Sequence, residues 1–99
     1  MIIEIKEPTK KLKEIRAKLG SDYSIKPVDG EQCIYRKINS NYDLEVSGLN
    51  DNKENIDAKI SVWKISPYSQ VIETVRDITS LNSLSISLID LVEKYQDLN

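Results

Sequence analysis

The chain has 99 residues, 30% of them charged, with a formal net charge of -2, no histidine, one cysteine and three glycines. A chain of this length makes one domain, 1–99, that can bury roughly two-thirds of its unfolded surface without disulfides or metals. The composition excludes imidazole acid–base chemistry and imidazole metal ligation, disulfide or dithiol chemistry within the chain, and a glycine-rich phosphate loop.

The apolar residues are weighted toward β-branched types. Isoleucine outnumbers leucine and phenylalanine is absent, which suits a pleated sheet. Charge is unevenly spread. Residues 1–20 carry six Lys/Arg against three Glu, whereas residues 38–58 carry five Asp/Glu against Lys53 alone. Such asymmetry creates a dipole able to steer a partner. The opening Met1–Lys6 stretch has too short an apolar run for a signal peptide and contains Glu4, and no segment is long enough to span a bilayer. One unpaired thiol, Cys33, fits a reducing compartment, so the cytoplasm is the expected location.

In chain order, Ile2–Ile5 reads as a short strand. Thr9 then reads as an N-cap, with Leu12, Ile15 and Leu19 at helical spacing and Gly20 as the stop, giving a helix over about 9–19. From Tyr23 the period becomes two. Tyr23–Val28, Asp29-Gly30 and Glu31–Ile38 form a hairpin signal that sets Ile25 opposite Ile34. Pro27 cannot donate to a ladder, which places the first strand at a sheet edge.

The next turn is Asn39-Ser40-Asn41, with Asn41 expected in the left-handed region. Its register sets Ile38 against Tyr42, Arg36 against Leu44 and Ile34 against Val46. Lys37 then faces Asp43, and Tyr35 faces Glu45. Ile56–Ile65 also alternates, and matching Leu44 to Ile60 brings Glu45 beside Lys59, an opposite-charge pair. Residues 66–79 fit two templates. Ser66-Pro67 with Val71, Val75 and Ile78 suits a helix; the β-branched run after a turn at Ser66–Ser69 suits a strand at about 71–78, which is the reading taken. Thr79 or Ser80 caps a final helix to about Tyr95, with Leu81, Leu84, Leu88, Leu91 and Tyr95 facing the core. The expected fold is α+β: an antiparallel meander of four to five strands, with an N-terminal and a C-terminal helix packed on one face.

Antiparallel sheets can leave the second face in water. Alternation assigns Lys26, Cys33, Tyr35, Lys37, Asp43, Glu45, Ser47, Asp57, Lys59, Ser61 and Trp63 to that outer face. Tryptophan and tyrosine are enriched at interface hot spots, so Trp63, Tyr35, Lys59, Glu45 and Lys37 are the candidate protein-binding residues. The alternative is that these aromatic and charged pairs only stabilise a solvated sheet, each contributing roughly 0.2–1 kcal/mol.

Other features carry less. Lys10, Lys11, Lys13 and Lys18 on the first helix could contact nucleic-acid phosphates, but Glu14 shares their arc and arginine, the main reader of base edges, is scarce. The loop from Asn50 to Asp57 lacks the glycine and terminal glutamate of a calcium loop and reads as a turn. Cys33 has one nearby cation, Lys26, too little to activate it. In the last helix, Ile86 and Ile89 widen the apolar stripe and are the candidate contact of a homodimer.

No residue set nominates a catalytic, cofactor-binding or metal site. In length and composition the chain resembles small phage or mobile-element proteins of AT-rich bacteria, some of which inhibit host defence proteins. The sequence therefore leads to a non-enzymatic module that binds another protein through its outer sheet face. The alternatives are nucleic-acid binding by the first helix, or a structural homodimer; no membrane partner is expected.

Overall fold

In the computed structural model, which describes residues 6–98, Thr9 Oγ1 accepts the Leu12 N–H at 3.2 Å and starts helix α1 (Lys10–Leu19). The strand expected over Ile2–Ile5 lies outside the described residues. Leu12 and Ile15 face the core, and α1 ends where Gly20 takes φ +107° and donates its N–H to the Arg16 carbonyl. Five strands follow: β1 (Ser24–Val28), β2 (Glu31–Lys37), β3 (Tyr42–Ser47), β4 (Ala58–Lys64) and β5 (Gln70–Ile78). They form one antiparallel sheet in the order β1-β2-β3-β4-β5. Helix α2 (Leu81–Gln96) closes the chain, capped by Ser80, which accepts the Ser83 N–H at 3.0 Å. This is the α+β meander with a helix at each end, and residues 70–78 are strand.

The inner face holds the core. Ile34, Leu44, Val46, Ile60 and Val62 meet Leu12 and Ile15 of α1 and Leu84, Leu88, Leu91 and Tyr95 of α2 in one apolar cluster. Each fully buried aliphatic side chain contributes roughly 1.5–3 kcal/mol. At the end of α2, Tyr95 stacks at 5.0 Å from Tyr42, and its hydroxyl bonds the Glu73 carboxylate, which also takes Lys94 at 2.7 Å.

The first two strand registers are as read from the sequence: Ile25 pairs with Ile34, Ile34 with Val46 and Arg36 with Leu44. The turn between β2 and β3 differs in mechanism. Asn41 does not adopt positive φ; instead the Asn39 carboxamide oxygen accepts the N–H groups of Asn41 (2.8 Å) and Tyr42 (3.1 Å). A side chain thus supplies the closure that a left-handed backbone was expected to give. Asn39 Nδ2 also lies 3.0, 3.3 and 2.9 Å from the carbonyl oxygens of Tyr95, Gln96 and Leu98, capping α2.

The β3–β4 register is offset by two residues from the expectation. Leu44 pairs with Val62, not Ile60, so Glu45 faces Ser61 and Lys59 faces Ser47. A two-residue slip keeps every side chain on its face, so alternation cannot distinguish the two registers. Backbone approach can. Gly48 follows β3 with φ +87°, and a Cβ there would lie 2.5 Å from the Asp57 carbonyl oxygen. Only glycine admits this crossing, and it sets which residue of β4 meets β3.

Both sheet edges are interrupted. Pro27 lies in β1, and the ladder that joins β5 to β4 shifts register between Ala58 and Ile60 and between Val62 and Trp63, with Asp77 of β5 at φ +60°. Bulges of this kind blunt an edge and sharpen strand twist.

Candidate functional site

The outer face is not the open, solvated surface that the alternation suggests. Cys33 is 1% exposed, Ser61 5% and Glu45 8%. Part of this face is recessed. Pro27 and Val28 of β1, at one edge of the sheet, line the same pocket as Ser69, just before β5 at the other edge. The outer face is therefore concave around Tyr35, Asp43, Glu45 and Trp63. The pocket has a volume of about 270 Å³, with Tyr35, Asp43, Glu45 and Trp63 along its floor and Lys26 on its wall.

The register offset builds this floor. It puts Trp63 directly opposite Asp43, a strand position that the expected register would have placed near Asn41. From there the Trp63 Nε1–H donates to Glu45 Oε1 at 2.9 Å. The Tyr35 hydroxyl donates to Asp43 Oδ2 at 2.9 Å, and the Lys26 ammonium rests 4.3 Å from the centre of the Tyr35 ring. The charge pairs expected from cross-strand placement do not form: Lys37 is opposite Asp43 and Lys59 is opposite Ser47, but among the described residues neither lysine makes an ion pair. Aromatic donors take their place.

Burial pushes the Glu45 carboxyl above its ordinary value, against the pull of the Trp63 hydrogen bond; Asp29 and Asp43 add to the rise and Lys59 opposes it. Burial, then the bond to Asp43, pushes the Tyr35 phenol up to about 12, so it stays a donor at neutral pH. The Cys33 thiol is pushed up to about 12 by burial and then by Glu31 and Glu45. It remains a thiol, and its proton points to the Glu31 carbonyl at 3.6 Å. A thiol so held is a poor nucleophile. The pocket thus offers carboxylate acceptors, aromatic surface and one cation.

Of the five candidate docking residues, the structure gathers Trp63, Tyr35 and Glu45 in the pocket and leaves Lys37 and Lys59 outside its lining. Three exposed large apolar side chains in and just before β5 are not foreseen from the sequence. Tyr68 is 71% exposed, and Val71 and Ile72 are also exposed, with Val71 directly opposite Trp63. Their signal was the β-branched run itself, whose sides could not be assigned across a bulge.

Lys11 is turned to its own chain, 2.6 Å from Asp51 and 2.7 Å from the Asn55 carbonyl, while Asn50 Oδ1 accepts the Thr9 N–H at 2.8 Å. The loop over 50–55 therefore clasps the start of α1, and only Lys10, Lys13 and Lys18 of the lysine arc are exposed. Ile86 and Ile89 are 53% and 57% exposed on α2. Ile89 borders a second pocket of about 290 Å³ between α1, α2 and Arg36. Among the described residues, no helix is long and apolar enough to cross a membrane, and no group of three or more Cys, Asp or Glu side chains is placed to hold a metal ion.

Fold and site together define a small α+β protein with a pocket of about 270 Å³ on the outer face of an antiparallel sheet. No known protein family, curated protein or solved structure matches this chain.

Proposed function

We propose that the protein is a non-enzymatic binding module that docks another protein on its outer sheet face. The supporting observation is a partly exposed Trp63 hydrogen-bonded to a buried carboxylate, with exposed Val71 directly opposite it. Aromatic and apolar anchors beside a pocket are what protein interfaces concentrate. The length and composition of the chain suggest inhibition of a host protein by a phage or mobile-element product as the form of this role.

The test is affinity capture from nuclease-treated lysate with wild type, Trp63→Ala, Val71→Asp and Lys13→Glu, each first shown to be folded by circular dichroism. A protein recovered by wild type and Lys13→Glu but lost with both outer-face variants is the expected result. Recovery unchanged by Trp63→Ala and Val71→Asp would end the assignment.

A second reading rests on the exposure of Ile86 and Ile89: an isologous dimer through α2. Light scattering that returns the monomer mass at high micromolar concentration would remove it.

A further inference from the structure

We propose that the outer-face pocket receives the guanidinium of an arginine presented by the docked partner. The inference rests on the docking reading and names what enters the pocket.

Four observations carry it. The pocket, at about 270 Å³, lies just below the range of about 300–1,000 Å³ typical for small-molecule and cofactor sites. It suits one long side chain better than a cofactor. Its charged groups are Asp43, Glu45 and Lys26, so one incoming positive charge balances them. Its two aromatic donors are already spent, Tyr35 on Asp43 and Trp63 on Glu45. A carboxylate offers about four lone-pair positions, so both acids keep accepting capacity for a donor-rich group. Finally, Trp63 lines the pocket and is partly exposed, offering an aromatic surface, while the Lys26 ammonium at 4.3 Å occupies the Tyr35 ring.

Guanidinium fits this set better than ammonium. Its planar fork donates to carboxylates in pairs and stacks on aromatic faces, and both partners stand here within one pocket. Its aliphatic stem would pass beside exposed Val71, which lies opposite Trp63. Glu45, only 8% exposed, is also a carboxylate for which an arriving cation relieves the penalty of burial.

The probe is N-acetyl-arginine methylamide, with the citrulline analogue as uncharged counterpart and the lysine analogue as the ammonium counterpart. The readout is the indole N–H resonance of Trp63, which reports on this pocket because the chain has one tryptophan. The expected result is a saturable shift with the arginine compound, at least tenfold weaker in Asp43→Asn and in Glu45→Gln, and none with citrulline. Asp43→Asn keeps an acceptor for Tyr35, so it serves even if Glu45→Gln fails to fold. Equal response to citrulline would overturn the proposal, as would equal response to lysine or saturation unchanged in a folded Asp43→Asn. Absence of any arginine response, with partner capture still lost in Trp63→Ala, would also overturn it while leaving the docking face in place.

Discussion

On the inner face of the sheet, Leu44, Ile60 and Val62 are fully buried within an apolar cluster; one residue along the same strands, on the outer face, Glu45 and Ser61 are nearly as buried. The two faces reach burial by different means. The inner face is covered by two helices whose side chains exclude water without directional demands. The outer face buries polar groups, which need specific partners there, because an unpaired buried polar group costs about 1–3 kcal/mol. Those partners exist: among the described residues, no buried side-chain nitrogen or oxygen lacks a hydrogen bond. The inner face thus tolerates many apolar solutions, whereas the outer face depends on one alignment of strands.

The largest expected effect tests the inner half of this contrast. Leu44→Ala should destabilise by about 3 kcal/mol, through lost burial and the cavity left behind. Urea unfolding followed by circular dichroism measures it, and a loss below about 1 kcal/mol would mean that the helices collapse onto the gap.

Next comes Gly48→Ala, which attacks the alignment. A Cβ held at φ +87° and 2.5 Å from the Asp57 carbonyl oxygen should cost about 2 kcal/mol. It should also move the Trp63 indole resonance, because Trp63 meets Asp43 only in the present register. Unchanged stability and an unchanged indole signal would show that Gly48 does not set the crossing.

The smallest effects are in pH dependence, where two carboxylates have opposite signs. Glu45 has its folded pKa raised by burial, so its contribution is fully present below its unfolded pKa and is lost as pH rises through the folded one. Glu73 has its folded pKa lowered by Lys94 and then Tyr95, so its contribution is present above its unfolded pKa and is lost as pH falls through the folded one. Relative to wild type, Glu45→Gln should therefore gain melting temperature as pH rises from 4 to 7, and Glu73→Gln should lose it over the same range. Parallel curves for the two variants would contradict the contrast.

Much of the fold was legible because local rules agreed. Thr9, Gly20 and the spacing of Leu12, Ile15 and Leu19 marked α1; Asp29-Gly30 marked the hairpin; Ile34 against Val46 set β2 on β3. The β3–β4 register was not legible, since alternation is blind to a slip of two, and the deciding contact is between the Gly48 and Asp57 backbones. The outer-face residues were assigned to the right side, but their burial was missed. The β4–β5 ladder shifts register twice, between Ala58 and Ile60 and between Val62 and Trp63, and no residue pattern in β5 announces this. Tyr35, Glu45 and Trp63 were singled out for residue type, yet their meeting in one pocket required both the register and a concave outer face. Asn39 was read as part of a turn whose key residue was Asn41. Its second role depends on α2 arriving beside it, a relation of tertiary structure alone.

That second role has a further consequence. One carboxamide closes the β2–β3 turn through its oxygen and holds the last carbonyls of α2 through its nitrogen. A helix terminus ordinarily frays on its own, as the least stable part of a molecule. Here the end of α2 and a hairpin tip more than fifty residues away share one anchor, so a substitution at Asn39 loosens both at once.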